Sequence, residues 1–143
     1  MTFEQIRDKL QQSLNELYAK EKDLIKNAVH ERTIASKLAC FAQVLFKDWK
    51  VDSEYNRSGQ IAKRDLDGGL ILPDIIIHHR TPDLLIQFDP DNNLVAIEIK
   101  GYWNGKSRSK DEQKLRDIKT LFGYQYLFRI ELNKENAKII QVL

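Results

Sequence analysis

Apolar residues recur every three or four positions in two stretches near the start of the chain. In the first stretch they stand between charged residues, at Phe3, Ile6, Leu10, Leu14, Leu17 and Tyr18. In the second stretch, residues 31–49, they are Ile34, Leu38, Phe41, Ala42, Leu45 and Phe46. Because this spacing repeats with the α-helical period, we predict two amphipathic helices that are joined at residues 27–30.

From Val51 onward the hydrophobic pattern changes to a period of two, which is typical of a half-buried strand. Two further strands, rich in isoleucine and valine, are predicted at residues 71–79 and 94–100. The glycine-containing stretch 58–69 predicts a loop before them. Residues 80–93 separate the two strands, and we expect a short extra strand at 84–88 followed by a turn.

The last part of the chain contains one more helix and two more strands. Ser109 and Glu112 have the spacing of a capping box, and Gly123 is placed to end the helix that they begin. Residues 124–132 and 137–142 predict two strands that pair across a turn. The order of helix, helix, three strands, helix and two strands predicts an α/β fold, with a mixed sheet of about five strands flanked by helices.

The composition indicates one folded domain over residues 1–143, in which residues 1–28 form an N-terminal helical addition. Hydrophobic residues make up 42% and charged residues 31% of the chain, which excludes a disordered chain. No apolar run is long enough to cross a bilayer and no export signal is visible, so a cytoplasmic location is expected. The single cysteine, Cys40, excludes an intrachain disulfide and is expected in the core.

The formal net charge of +2 is too small to hold a polyanion by overall attraction. Any binding of nucleic acid therefore needs a local cluster of basic residues, assisted by a metal ion.

The strand at 94–100 places Glu98 and Lys100 on the same face, since alternate residues of a strand point to the same side. If the strand that contains Asp74 lies beside it, Asp74, Glu98 and Lys100 converge. Two adjacent carboxylates repel each other, and oxygen ligands favour a hard cation such as Mg²⁺ or Mn²⁺. A lysine beside that ion can orient water and offset charge on a phosphate.

Pro73 and Asp74, followed at a distance by Glu98, Ile99 and Lys100, resemble the signature of the PD-(D/E)XK nuclease superfamily. This superfamily contains restriction-endonuclease-like enzymes and Holliday junction resolvases. The resemblance extends over residues 31–132 and implies a restriction-endonuclease-like core. It also implies that Asp74 and Glu98 ligate a magnesium ion and that Lys100 assists the nucleophilic water.

By the same resemblance, Glu31 on the preceding helix is a candidate additional metal ligand. The implied activity is that of a magnesium-dependent endonuclease that hydrolyses phosphodiester bonds, with DNA as the expected partner. The long gap between Asp74 and Glu98 requires an inserted loop at residues 80–93. Without such a loop, the pairing of the two strands is in question.

Basic residues and one tryptophan near the predicted site are candidates for nucleic-acid binding, since cations reach phosphates and aromatic faces stack on exposed bases. These candidates are Lys106, Arg108, Lys110, Lys114, Trp103 and Arg57. With Arg57, Lys63 and Arg64 are candidates for another side of a DNA-binding groove, although the acidic residues Asp65 and Asp67 weaken this interpretation. Lys114 resembles an additional polar residue that many superfamily members place on this helix. Solvent-exposed basic residues with no ligand are the simpler alternative for all of them.

Two other functions stay open from the sequence. The first is a non-catalytic nucleic-acid-binding module that keeps the nuclease fold, and the second is a protein-interaction domain that uses the N-terminal helix or a sheet edge. Asp74 and Lys100 could also form an ordinary cross-strand ion pair. A homodimer is an open arrangement, because a twofold dimer suits an enzyme that cuts two strands.

Overall fold

The structure is a computed structural model that describes residues 1–53, 63–64, 70–71, 73–79 and 88–143, with 63–64 and 70–71 described as backbone. Its elements, in chain order, are α1 (Phe3–Lys20), α2 (Lys22–Lys26), α3 (Glu31–Leu45), β1 (Lys50–Ser53), β2 (Lys63–Arg64), β3 (Leu70–Ile71), β4 (Ile75–His78), β5 (Asn93–Gly101), α4 (Arg108–Phe122), β6 (Tyr126–Leu132) and β7 (Ala137–Val142).

A mixed five-stranded sheet organises the chain, with the strand order β1-β4-β5-β6-β7. Neighbouring strands are antiparallel except β5 and β6, which are parallel and are connected through α4. A parallel pair needs such a crossover, because a short turn cannot return the chain to the same end of the sheet. The predicted α/β fold, with a mixed sheet of about five strands between helices, is confirmed.

Each face of the sheet is covered by different helices. α1 and α3 pack on one face, where β5 contributes Val95, Ile97 and Ile99. On the opposite face, Ala96 of β5 packs with Leu115 of α4 and with further apolar residues. β5 is therefore buried on both faces, as expected for a strand with parallel pairing in the centre of a sheet. Glu98 and Lys100 continue the face that α4 covers.

The N-terminal helix α1 contributes fully buried residues to the core, and its C-terminal end is hydrogen-bonded to the turn between β6 and β7. The Tyr18 hydroxyl lies 2.7 Å from the carbonyl oxygen of Asn133 and 2.8 Å from that of Asn136, in the turn between β6 and β7. Burial raises the pKa of Tyr18 to about 12. This contact joins the first helix to the last hairpin of the chain.

Several predicted boundaries are wrong. The single strand at 71–79 is two strands, since β3 ends at Ile71 and β4 begins at Ile75. Pro73 lies between them and has no N–H to donate to a sheet. Part of the predicted loop at 58–69 belongs to a small ladder of β2 with β3. α3 ends at Leu45, four residues before the predicted end, and the short helix α2 was not predicted.

The start of α4 also differs from the prediction. Ser107, in extended conformation, is the N-cap, and its hydroxyl accepts a hydrogen bond from the Lys110 N–H. Ser109 is already inside the helix, so the predicted capping box with Glu112 is wrong. Gly123 ends the helix as predicted.

The expectation that Cys40 lies in the core is wrong. Cys40 is exposed rather than buried, because the buried stripe of α3 passes through Ala39 and Ala42 on another side of the helix.

The predicted extra strand at 84–88 lies outside the described residues except for Phe88. Among the described elements, none is a helix with the length and apolar character that a membrane crossing requires.

Gly123 has a left-handed backbone, with φ of 76°, and a Cβ built there would lie 3.0 Å from the Phe88 ring and 3.1 Å from the Pro90 nitrogen. We expect Gly123→Ala to lower the free energy of unfolding by about 1–2 kcal/mol, because the left-handed conformation is unfavourable for a residue with a Cβ. Chemical denaturation measures this change. Gly105→Ala is the matched control, since nothing lies within 4 Å of its Cβ position. Equal effects of the two substitutions would contradict the argument.

Candidate active site

Asp74 and Glu98 lie close together because β4 and β5 are neighbours in the sheet. Ile75 pairs with Ile97, which places Asp74, one residue before β4, beside Glu98. The Asp74 carboxylate accepts a hydrogen bond of 2.7 Å from the Ile99 N–H. Asp74 is thus attached to the backbone of the strand that carries Glu98 and Lys100.

The two carboxyl groups do not readily carry two negative charges together. Burial raises the pKa of Asp74, and the hydrogen bond from Ile99 opposes part of that rise. The pKa of Glu98 is raised well above its ordinary value, first by burial and next by the charge of Asp74. A proton or a cation is therefore favoured between them.

Both lysines near this pair form ion pairs across the contact between β5 and α4. The Lys100 ammonium lies 2.7 Å from an Asp111 carboxylate oxygen, and the Lys114 ammonium lies 2.8 Å from Glu98 Oε1. The acid and base on β5 thus face a base and an acid on α4. Glu98 is 6% exposed and Lys100 is 3% exposed, so these charges are held inside the protein.

β6 extends this arrangement, because its parallel register places Arg129 beside Glu98 and Glu131 beside Lys100. Arg129 pairs with Glu131 and with Glu112 of α4, and its side chain is mostly buried. Nε of Arg108 lies 2.5 Å from a carboxylate oxygen of Glu131. This hydrogen bond is the main reason why the pKa of Glu131 is lowered.

We call these charged residues between the sheet and α4 the charge lattice. Its members are Glu98, Lys100, Arg129 and Glu131 on the sheet, and Arg108, Asp111, Glu112 and Lys114 on α4. Four acids face four bases within the lattice, and Arg116, which pairs with Glu112 along α4, is a fifth base at its border. Asp74 is a fifth acid, and it lies beside another acid, Glu98, rather than beside a base.

Glu31 lies at the edge of this site and is bonded to the turn that follows β5. Its carboxylate accepts hydrogen bonds from the Gly101 N–H, at 2.5 Å, and from the Asn104 side-chain amide, at 2.8 Å. The charge of Glu31 is the smallest of the causes that affect the pKa of Asp74. Glu31 is therefore near the carboxylate pair, while both of its oxygens hold the turn.

The candidate nucleic-acid-binding residues are placed differently from one another. Lys106 and Lys110 are exposed near the N-terminus of α4, whereas Arg108 is bonded to Glu131. The Trp103 ring covers Gly101, where an added Cβ would come within 2.5 Å of it, and packs partly buried against the core. Arg57 lies outside the described residues, and only the backbone of Lys63 and Arg64 is described.

Arg129, Glu131 and Asp111 belong to the site and were not predicted from the sequence. The sequence contains part of the information needed to find them, because Arg129 and Glu131 alternate with apolar residues, which indicates that they share a strand face. Their position beside Glu98 and Lys100 depends on the register of a parallel pair, which the pattern does not contain.

The donors at the carboxylate pair suit a hard divalent cation. Within the described ranges, no three His, Cys, Asp or Glu side chains are grouped as ligands of one metal ion. Asp74 and Glu98 nevertheless provide two oxygen-donor groups whose repulsion a cation relieves. Mg²⁺ commonly binds through one or two carboxylates and keeps several waters, so this pair fits such an ion.

The comparisons with known proteins find a likeness in fold but no match in sequence. No family model matches the sequence, and no curated protein matches it. The fold is similar to part of a chain in the cryo-EM structure of a DrdV–DNA complex, with a TM-score of 0.40 and 9% sequence identity. The match covers 99% of this chain and 12% of that chain. At this TM-score the likeness supports no statement about function.

The raised pKa values of Asp74 and Glu98 predict the pH dependence of stability. Above an ordinary carboxyl pKa of about 4.3 the unfolded state loses these protons first, so the free energy of unfolding falls as pH rises toward the folded-state pKa. We expect Glu98→Gln to reduce this fall, measured by chemical denaturation from pH 4 to pH 8. Glu4→Gln, at an exposed position of α1, controls for the change of net charge. An unchanged slope in Glu98→Gln would contradict the assignment.

Glu31→Ala removes both acceptors from the turn after β5 and leaves the buried Gly101 N–H without this partner. We expect a loss of about 1–3 kcal/mol in the free energy of unfolding, which is the usual effect of an unsatisfied buried donor. Glu31→Gln keeps one acceptor and should lose less. Faster amide hydrogen exchange at Gly101 identifies the cause, and wild-type protection of this amide in Glu31→Ala would argue against it.

Proposed function

We propose that this protein is a metal-dependent nuclease of the PD-(D/E)XK type that hydrolyses phosphodiester bonds in DNA. The observation that carries the proposal is the pair of adjacent carboxyl groups, a partly buried Asp74 and a buried Glu98, on the strand face that also carries Lys100. A structural ion pair joins an acid to a base, whereas two adjacent carboxyl groups with raised pKa values favour a divalent cation between them.

Asp74 and Glu98 would hold the ion from two adjacent strands, and their positions are set by backbone pairing rather than by a mobile loop. A bound Mg²⁺ or Mn²⁺ supplies Lewis acidity, which activates water and stabilises the charge on a reacting phosphate. The reaction adds a water oxygen to phosphorus and breaks the bond from phosphorus to the leaving oxygen, which takes up a proton.

Lys100 would orient the attacking water and offset negative charge on the phosphate. Its ammonium is held by Asp111 on α4 and is almost fully buried, so it has a defined position on the strand face that also carries Glu98. A group with a fixed position contributes more to a transition state than a freely moving one, because less ordering is required during the reaction.

The region around the start of α4 is the proposed contact surface for DNA. Lys106 and Lys110 are exposed there, and the helix N-terminus adds partial positive charge. Lys114 lies one turn further along the same helix and faces Glu98. A phosphate that approaches the carboxylate pair from the α4 side would meet these groups first. Glu31, which is close but bonded to the turn, is the candidate third ligand.

A non-catalytic DNA-binding module is the second candidate, and the ion pairs favour it. Lys100 and Lys114 are both bonded to carboxylates, an arrangement that would also stabilise a fold without reacting groups. This alternative predicts salt-sensitive DNA binding without metal-dependent cleavage.

The test is a cleavage assay on duplex, branched and single-stranded DNA with Mg²⁺, Mn²⁺ or a chelator. We expect cleavage with metal, a loss of about 100-fold or more in kcat for Lys100→Met, and weaker metal binding for Asp74→Asn. Lys119→Met, at an exposed position in the last turn of α4, is the control for loss of positive charge. Cleavage by Lys100→Met at the wild-type rate would refute the mechanism, and DNA binding without cleavage would select the second candidate.

A further inference from the structure

Lys114 differs from Lys100 in how it is held, although both lysines pair with an acid of the charge lattice. The Lys100 side chain is 4% exposed and bonded to Asp111, whereas the Lys114 side chain is 35% exposed and reaches Glu98 from the helix surface. A long lysine side chain with a solvent-exposed part can change its position at small energetic cost. Lys100 is enclosed and has no comparable freedom.

From this geometry we propose that Lys114 is an exchangeable counter-ion, which occupies the cation position beside Glu98 in the metal-free protein and is displaced when a divalent metal binds. The inference rests on the proposed function, because it assumes a metal site at Asp74 and Glu98. It adds a role for Lys114 that is separate from any contact with phosphate.

The positions of the charges support this exchange. The Lys114 ammonium is 2.8 Å from Glu98 Oε1, which is a direct ion pair with a carboxylate that is 8% exposed. A divalent ion bound to the same carboxylate would lie close to the ammonium, and the two like charges would repel. One of the two cations therefore has to leave, and Lys114 has the route to solvent.

The electrostatic effects of Lys114 agree with this role. Its charge lowers the pKa of Glu98 and also that of Asp74, so it stabilises the ionised form of both proposed metal ligands. Without metal, Lys114 keeps the carboxylate pair ready to bind a cation. With metal, the same positive charge opposes binding, and the protein has a lower metal affinity than the carboxylates alone would have.

The test measures Mn²⁺ binding in the absence of nucleic acid, by the electron paramagnetic resonance signal of the free ion. We expect Lys114→Met to bind Mn²⁺ at least about tenfold more tightly than the wild type, since a competing charge is removed. Lys114→Arg keeps the charge and should not bind more tightly. Lys119→Met is the matched control on the same helix and should stay within about twofold of the wild type.

The stabilisation that Mn²⁺ adds gives a second readout, which a merely structural lysine would not change. Lys114→Met should unfold more easily than the wild type without metal, and saturating Mn²⁺ should stabilise it more than the wild type. Lys114→Gln keeps a donor toward Glu98 without the charge, and it is titrated in parallel so that poor folding of the Met variant does not remove the test.

The outcomes separate the two proposals. If the wild type binds Mn²⁺ and the uncharged variants bind it equally or less tightly, the counter-ion role is wrong while the metal site stands. If neither the wild type nor the uncharged variants bind Mn²⁺, the metal site and the counter-ion role both fail. Tight binding by the uncharged variants together with weak binding by the wild type supports both.

Discussion

The neutralisation of Glu98 inside the protein is the interaction on which the site and part of the fold depend. A carboxylate removed from water is unfavourable unless charge of opposite sign or hydrogen-bond donors replace the water. Here Lys114 from α4 pairs with Glu98, and Lys100, two residues along the same strand, pairs with Asp111. Arg129 lies beside Glu98 in the strand register and pairs with Glu112 and Glu131. The register of β5 with β6 and the placement of α4 thus have to agree with one another, because a shift of one residue would turn Arg129 and Glu131 to the opposite face of the sheet, away from α4.

The contact between α4 and the sheet has an apolar part and a charged part. The C-terminal half of the helix packs through Leu115, Ile118 and Phe122 on apolar strand residues. Its N-terminal half contacts the sheet through the charge lattice. The apolar half supplies burial that is not specific for register, while the charged half selects one arrangement. Glu98, a metal ligand in the proposed mechanism, is therefore also part of what determines the fold.

The sequence allowed the element types and the mixed sheet to be predicted, because long periodic stretches such as α1 and β5 have unambiguous patterns. Glu98 and Lys100 were placed on one face by strand parity alone. Asp74 required the adjacency of β4 and β5, which no local pattern contains, and Pro73 interrupted a strand that its apolar neighbours suggested. The pairings of Lys100 with Asp111 and of Glu31 with Gly101 were out of reach, since they depend on how helices are set against the sheet rather than on spacing along the chain.

The two halves of α4 should also respond differently to the solution around them. Attraction between partly exposed charges, such as Arg108 with Glu131, is weakened by dissolved salt, while apolar contacts are weakened little and are even strengthened by some salts. The attachment of α4 to the sheet is thus uneven along its length. Rising ionic strength therefore acts first on the exposed start of α4, at Arg108, and much less on the buried pair of Lys100 with Asp111 or on the apolar end at Gly123.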